Sequence, residues 1–263
     1  MKILKIPFSA GGLGKTEGTE LAPDKIVKEL KKFYLNESGI LPLFSVEEVK
    51  VNQNNIEETN KNIEAKVKEN KENKLAIIGG DHSITYASFK AISDLENPGL
   101  LIFDAHPDCM QDFDPPTHED FVKVLVNKGL LKKENVILVG LRNWHKDEYN
   151  FLKKNKIRYF QMKKISEESL HDITDAIMSA AKNFSHLYIS IDIDAVDPAF
   201  APGTGYPEPA GLTSRQLIYM LHRLKNLKNI NIIDIVEVNP KKDINNMTSK
   251  LAAKILVELN VTN

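Results

Sequence analysis

Asp104, His106 and Asp108 alternate along a segment that begins with four apolar residues, Leu100-Leu-Ile-Phe103. In an extended chain alternate side chains share a face, so the three converge near a strand's carboxyl end. An apolar core does not accept unpaired carboxylates, so something positive must sit among them, most simply a hard divalent cation. Asp192 and Asp194 close a second apolar run that starts at His186, and Gly79-Gly-Asp-His-Ser83 follows a third, Leu75–Ile78. His82 and His106 with the four aspartates are enough for two ions. An oxygen-dominated set with a minority of imidazoles favours manganese and leaves iron, nickel or cobalt open; zinc would ask for thiolates. Two such ions close together make water a nucleophile at neutral pH, suited to a polarised carbon or phosphorus centre.

The elements that must position these residues alternate between strand and helix. Apolar runs predict strands over 2–8, 44–51, 75–78, 100–104, 135–140, 157–161, 186–192 and 230–238. Between them, helical spacing predicts helices over 23–35, within 52–74, and over 83–94, 119–129, 146–155, 167–184, 213–226 and 248–260. Ile26, Leu30 and Phe33 form the inner stripe of the first helix, and Ile56, Ile63 and Val67 a narrow buried edge on the second. Thr117 with Asp120 reads as a capping box for a helix starting near His118, with Gly129 at its end, and Thr213 caps the helix carrying Leu217, Met220, Leu221 and Leu224. Near-continuous apolar strands alternating with helices imply an α/β fold, a doubly wound parallel sheet covered on both faces. In such sheets the working residues collect beyond the strands' carboxyl ends, where all six candidate ligands fall. No repeat, linker or compositional break divides the chain, so residues 1–263 are read as a single domain.

Composition narrows the function classes. A net charge of −1 offers no field to draw nucleic acid or an acidic membrane, and 42% hydrophobic residues are ample for a core. One cysteine excludes an internal disulfide and fits the cytoplasm. No apolar run reaches the roughly 18 residues of a membrane span, and the opening residues read as a strand rather than a leader.

Gly-Gly-Asp81-His82-Ser83, Asp104-Ala-His-Pro-Asp108 and Ser190-Ile-Asp-Ile-Asp-Ala-Val-Asp-Pro198 resemble the three signatures of the ureohydrolases, the arginase and agmatinase family. The likeness continues through Ala201-Pro-Gly-Thr-Gly-Tyr-Pro-Glu-Pro-Ala-Gly-Leu212 and Val236-Glu-Val-Asn-Pro240, covering most of the chain from Leu75 onward. It implies an arginase-like three-layer α/β/α fold and two manganese ions per chain. One ion would be held by His82, Asp104, Asp108 and Asp192, the other by Asp104, His106, Asp192 and Asp194, with Asp104 and Asp192 bridging. It further implies attack on a guanidinium carbon, collapse to urea and a free amine, and Asp108 as the relay for the leaving amine's proton. His118 is similar to the family's proton-shuttling histidine, although Glu119 stands where a glycine usually follows it. Glu237 is similar to the acid that pairs with the substrate guanidinium. Subunits of the family commonly form trimers or hexamers, which makes a homo-oligomer the expectation here.

Other residues have supporting readings. Asp81 would fix the turn before His82, and Asp197 would pair within its Asp-Pro turn. Gly203, Gly205 and Pro207 would shape a loop that walls the pocket. Cys109 reads as a small packed residue, Trp144 as lining or packing, and the Gly-rich loop 10–18 as a cover or a simple connection. The residues after Asp108 and after Arg142 depart from the arginase pattern. An apolar pocket with Met110, Phe113 and Trp144 would suit agmatine, ahead of arginine or another guanidino or formimino compound. A single-zinc deacetylase is disfavoured by the full ligand set, and a silent binding protein by the absence of any missing ligand.

Overall fold

Period-two alternation along the strands decides the architecture, because successive side chains leave a strand on opposite faces. A computed structural model describes residues 1–70 and 74–260. In chain order its elements are β1 (Lys2–Ile6), α1 (Ala22–Leu30), β2 (Ser45–Glu48), α2 (Ile56–Lys68), β3 (Leu75–Gly79), α3 (Ile84–Lys90), β4 (Pro98–Phe103) and α4 (Phe121–Asn127). There follow β5 (Val136–Leu141), α5 (Lys146–Asn155), β6 (Arg158–Gln161), α6 (Met162–Glu167), α7 (Leu170–Ala181), β7 (His186–Asp192), α8 (Ser214–Leu224), β8 (Ile230–Val236) and α9 (Met247–Leu259). The strands form one eight-stranded sheet in the order β2-β1-β3-β8-β7-β4-β5-β6, with every pair parallel.

Leu101, Phe103, Ile137, Val139, Ile189 and Ile191 pack on one face with the apolar stripes of α1, α6, α7, α8 and α9. Leu100, Ile102, Val136, Leu138 and Tyr188 pack on the other with α2, α3, α4 and α5. Helices on both faces make this a single three-layer α/β/α domain, the doubly wound sheet that the sequence implies. Among the described residues no helix is long and apolar enough to cross a membrane.

Three expectations change in detail. The helix expected over 167–184 is α7 alone, starting at Leu170 because the Ser169 hydroxyl accepts the Asp172 N–H, and a short helix not expected from the sequence, α6, precedes it. The Thr117–Asp120 box is only half made: the Asp120 carboxylate accepts the Thr117 N–H and hydroxyl, and α4 starts at Phe121. His118 therefore lies in the loop before the helix rather than in its first turn. Phe33 falls beyond the end of α1 yet packs against the same core. Residues 71–73 of the expected 52–74 helical stretch, and the last three residues of the single-domain span, lie outside the described residues.

The carboxyl ends of five adjacent strands, β3, β8, β7, β4 and β5, open on one crevice. Gly80 makes the approach possible, since a Cβ there would sit 1.9 Å from the Phe8 carbonyl oxygen. The Asp81 N–H donates to that carbonyl at 2.9 Å, and the Glu237 N–H donates to Gly80 O at 2.8 Å. The turns after β1, β3 and β8 are thereby tied together.

Candidate metal centre

His82 turns into the crevice just after β3. Its Nδ1 lies 3.2 Å from Asp104 Oδ2, 3.1 Å from Asp108 Oδ2 and 3.2 Å from Asp192 Oδ2. A ring nitrogen carries at most one proton, so it cannot serve three oxygens. Among the described residues no well-formed hydrogen bond reaches His82 Nδ1, Asp104 Oδ2 or Asp108 Oδ2, although all are buried. Buried polar atoms that converge without a donor have the arrangement of ligands around a cation. Beside them, His106 Nδ1 lies 3.1 Å from Asp194 Oδ2 and 3.5 Å from Asp104 Oδ1. Two triads result, His82–Asp104–Asp108 and Asp104–His106–Asp194, each with its ligand atoms within 4.8 Å of one another. Asp104 belongs to both and offers one oxygen to each. Asp192 offers Oδ2 to the first, while its Oδ1 accepts the Asp194 N–H at 2.8 Å. The donor set fits two divalent cations.

Backbone geometry aims these groups. Asp108 has φ +53° and Glu237 φ +62°, a region non-glycine residues seldom occupy and one that clusters at functional sites. Asp194 Oδ1 accepts the Ala105 N–H at 3.0 Å, locking the β7 and β4 loops together. Arg142 donates to the carbonyls of Asp194 at 2.7 Å, Glu208 at 2.6 Å and Pro209 at 3.0 Å, bracing the loop behind Asp194.

The electrostatics follow from crowding. Burial, then the Asp104 charge, pushes Asp108 up to about 8. Burial with neighbouring carboxylates also raises Asp192 and Asp194. For His82 and His106 burial acts downward, but contacts with the aspartates win and hold both above the usual imidazole range. For Asp104 burial acts upward, and the two imidazoles outweigh it, holding the carboxyl below its usual range. The cluster retains protons that a cation would displace.

A polar chain behind His82 has no counterpart in the sequence reading. His82 Nε2 lies 2.8 Å from Ser190 Oγ, which donates to Asp234 Oδ1 at 2.6 Å. Asp234 Oδ2 accepts from Tyr188 OH at 2.6 Å and Thr85 Oγ1 at 2.7 Å. With its proton given to Asp234, Ser190 accepts from Nε2–H, leaving the Nδ1 lone pair toward the carboxylates. The available signal was a lone aspartate inside the apolar strand Ile230-Asn-Ile-Ile-Asp-Ile-Val236.

Glu237 and His118 face one another beside His82. Glu237 Oε1 accepts the His82 N–H at 2.8 Å and lies 3.2 Å from His118 Nδ1. Burial acts downward on His118, but Glu237 lifts it to about 9. The ring is only 5% exposed, inside the cavity rather than at an open mouth. Asp81 Oδ1 accepts the Ser83 N–H at 3.0 Å and its hydroxyl, which fixes the turn before His82. Burial, with the Glu237 charge next, raises Asp81 to about 7. Asp197 accepts the N–H groups of Ala199 and Gly211. Cys109 is fully buried with its thiol pushed up by burial, so it is a packing residue.

The site opens into a cavity of about 280 Å³. Met110 and Trp144 line it, as do Thr204 and Tyr206 of the 203–207 loop. Trp144 also packs, its ring 5.7 Å from Tyr149 and 5.9 Å from Tyr159. Phe113 does not line it; that ring is 47% exposed while its N–H is held by Asp120. The pocket is less apolar than expected, because Lys15, Glu119, His145 and Glu148 also line it. Loop 10–18 is part of the wall: it supplies Lys15, and Gly11 O accepts the His118 N–H at 3.2 Å.

Comparison with known proteins agrees with this geometry. The arginase family model matches residues 1–261. The chain is 30% identical over 246 residues to an arginase of Staphylococcus aureus, covering 88% of this chain and 79% of that protein. It is also 30% identical over 237 residues to a formimidoylglutamase of Halalkalibacterium halodurans, covering 87% of this chain and 72% of that one. The crystal structure of formimidoylglutamase from Bacillus subtilis superposes with a TM-score of 0.91 at 24% identity, covering 98% of this chain and 85% of that one, a likeness of fold. The chain belongs to the arginase family of amidine hydrolases.

Proposed function

We propose that this protein hydrolyses the guanidino C–N bond of a cationic alkylguanidine, agmatine before others, releasing urea and an amine. In this reading His82, Asp104, Asp108 and Asp192 would hold one manganese ion and Asp104, His106, Asp192 and Asp194 the other. The observation that carries it is the doubled imidazole–carboxylate cluster opening on a cavity whose acids outnumber its cations. When bound, the ions would lower the pKa of water and stabilise charge developing on the attacked carbon.

The chain's own groups supply the rest. Glu237 Oε2 is buried and receives no hydrogen bond from the described residues, and a planar guanidinium brings the donors it lacks. His118, protonated at neutral pH, is placed to hand a proton toward the departing amine, with Asp108 as the relay beside the attacked carbon. Agmatine has no carboxylate, and among the described residues neither Lys15 in the cavity wall nor Arg142 behind it stands unpaired in the substrate-free arrangement to receive one. Lys15 is paired with Glu119 at 3.1 Å, and Arg142 is committed to backbone carbonyls.

The test is urea release by the manganese-loaded protein from agmatine, arginine, guanidinobutyrate and guanidinopropionate, with formamide release from formimidoglutamate. Turnover of agmatine well above the others is the expected result. Preference for arginine or formimidoglutamate would replace the substrate while keeping the reaction class.

A further inference from the structure

Glu119 and Lys15 stand in the cavity wall without a part in the chemistry above. The Glu119 backbone is fixed, its carbonyl accepting the Met110 N–H at 3.0 Å. Its carboxylate takes both neighbouring donors on one oxygen: Lys15 Nζ at 3.1 Å and Tyr206 OH at 3.2 Å both meet Oε1. No hydrogen bond from the described residues reaches Oε2. Glu119 is the less exposed member of the pair, with 29% of its side chain accessible against 53% for Lys15. Lys15 rides on a Gly-rich loop and leans over the Tyr206 ring, 5.5 Å from its centre. An ion pair this exposed contributes little, so one cation can be exchanged for another at small cost.

Position gives the pair a meaning. His118 stands between two carboxylates, with Glu237 Oε1 3.2 Å from Nδ1 and Glu119 Oε1 3.7 Å from Nε2. The acids are therefore separated by one imidazole width and two contacts. A short alkyl chain with a cation at each end spans that gap. We infer that Glu119 is the receptor for a cationic tail on the substrate, and that Lys15 is its internal stand-in, displaced when the tail arrives. The inference rests on the guanidine-hydrolase reading, with Glu237 at the guanidinium end, and specifies the substrate class as guanidines bearing a terminal primary ammonium.

The experiment measures calorimetric affinities of the metal-free protein, which in this reading does not hydrolyse its ligands, for three compounds that share a guanidine and a four-carbon unit. Agmatine ends in an ammonium, butylguanidine in a methyl group and 4-guanidinobutyrate in a carboxylate. Binding agmatine about tenfold or more tighter than butylguanidine is expected for a charge-assisted contact, with the preference falling to within about twofold in Glu119→Gln. Lys15→Met should tighten agmatine, since the competing cation is gone. An unchanged agmatine-to-butylguanidine ratio in Glu119→Gln overturns the inference. So does tightest binding of 4-guanidinobutyrate with that preference lost in Lys15→Met, which would make Lys15 the receptor. Urea release by manganese-loaded samples of the same proteins separates the two levels. The expected binding pattern without urea leaves the tail site standing and removes the proposed reaction. Urea with an unchanged ratio does the reverse.

Discussion

Asp104 touches both histidine-centred triads, one oxygen to each, and Asp194 only the second. Asp104→Ala should therefore abolish binding of both ions, whereas Asp194→Ala should spare the site around His82. Elemental analysis after dialysis reads the difference, and two ions retained by Asp104→Ala would refute the shared-ligand geometry. Asp234→Asn should weaken metal binding by about ten- to a hundredfold by loosening the Ser190 proton that orients His82. A chelator competition that finds wild-type affinity would reduce Asp234 to a packing residue. That the six candidate ligands would gather was legible because each follows an apolar run, and a carboxylate has no reason to end one unless something positive waits there. Ser190 and Asp234 were not, because their meaning comes from strand register: Ser190 pairs with Asp234 only once β7 lies beside β8. Glu119 departs from the family pattern in the sequence itself, but its salt bridge spans 104 residues and no local pattern announces it.

Among the elements, turns whose partners lie within a few residues were the readable ones. Thr213 makes the full capping box with Gln216, each side chain accepting from the other's backbone. Thr213→Ala should cost about 1 kcal/mol in urea unfolding with metal content unchanged. A loss below a few tenths would mean that α8 is held by packing alone. The Thr117–Asp120 pattern failed because Asp120 also accepts the Phe113 N–H, a contact made by the loop's own path. Gly80 shows the limit from the other side. Its need for no side chain comes from Phe8, a residue on another strand's exit, and Gly80→Ala should destabilise by about 1–3 kcal/mol. That substitution should also lower metal affinity by shifting His82, and unaltered affinity would show that the turn absorbs the methyl group elsewhere.

For the whole molecule, protons and cations compete for one cluster. The His118 pKa of about 9 lies above its ordinary 6.5, so the folded state binds that proton more tightly. The resulting stabilisation is complete below 6.5 and is lost as pH rises through about 9. Asp108, lifted from 3.8 to about 8, has the same sign: its contribution is fully present below 3.8 and gone above about 8. Metal-free protein should thus melt at falling temperature from pH 6.5 to 9. Protein with manganese should hold a flatter curve, because deprotonation frees ligands for the ion and binding stabilises the fold. Parallel melting curves with and without the ion would count against the cluster as its site. A sheet covered on both faces was readable from near-continuous apolar strands alternating with helices, but the order of strands was not, since no residue in β8 names its neighbours.

That order has a consequence for how the protein comes into being. β8, the last of the eight strands in sequence, is inserted between β3 and β7 near the middle of the sheet. Without it, β2-β1-β3 and β7-β4-β5-β6 would be two separate half-sheets, each with an open edge where β8 belongs. Open edges of this kind invite pairing with other chains. β8 is a keystone: it arrives late, joins the halves, and brings Asp234 and Glu237 with it. A chain halted before Ile230 would carry all six candidate ligands yet lack the strand that joins β3 to β7, so this site cannot be assembled before β8 has been made.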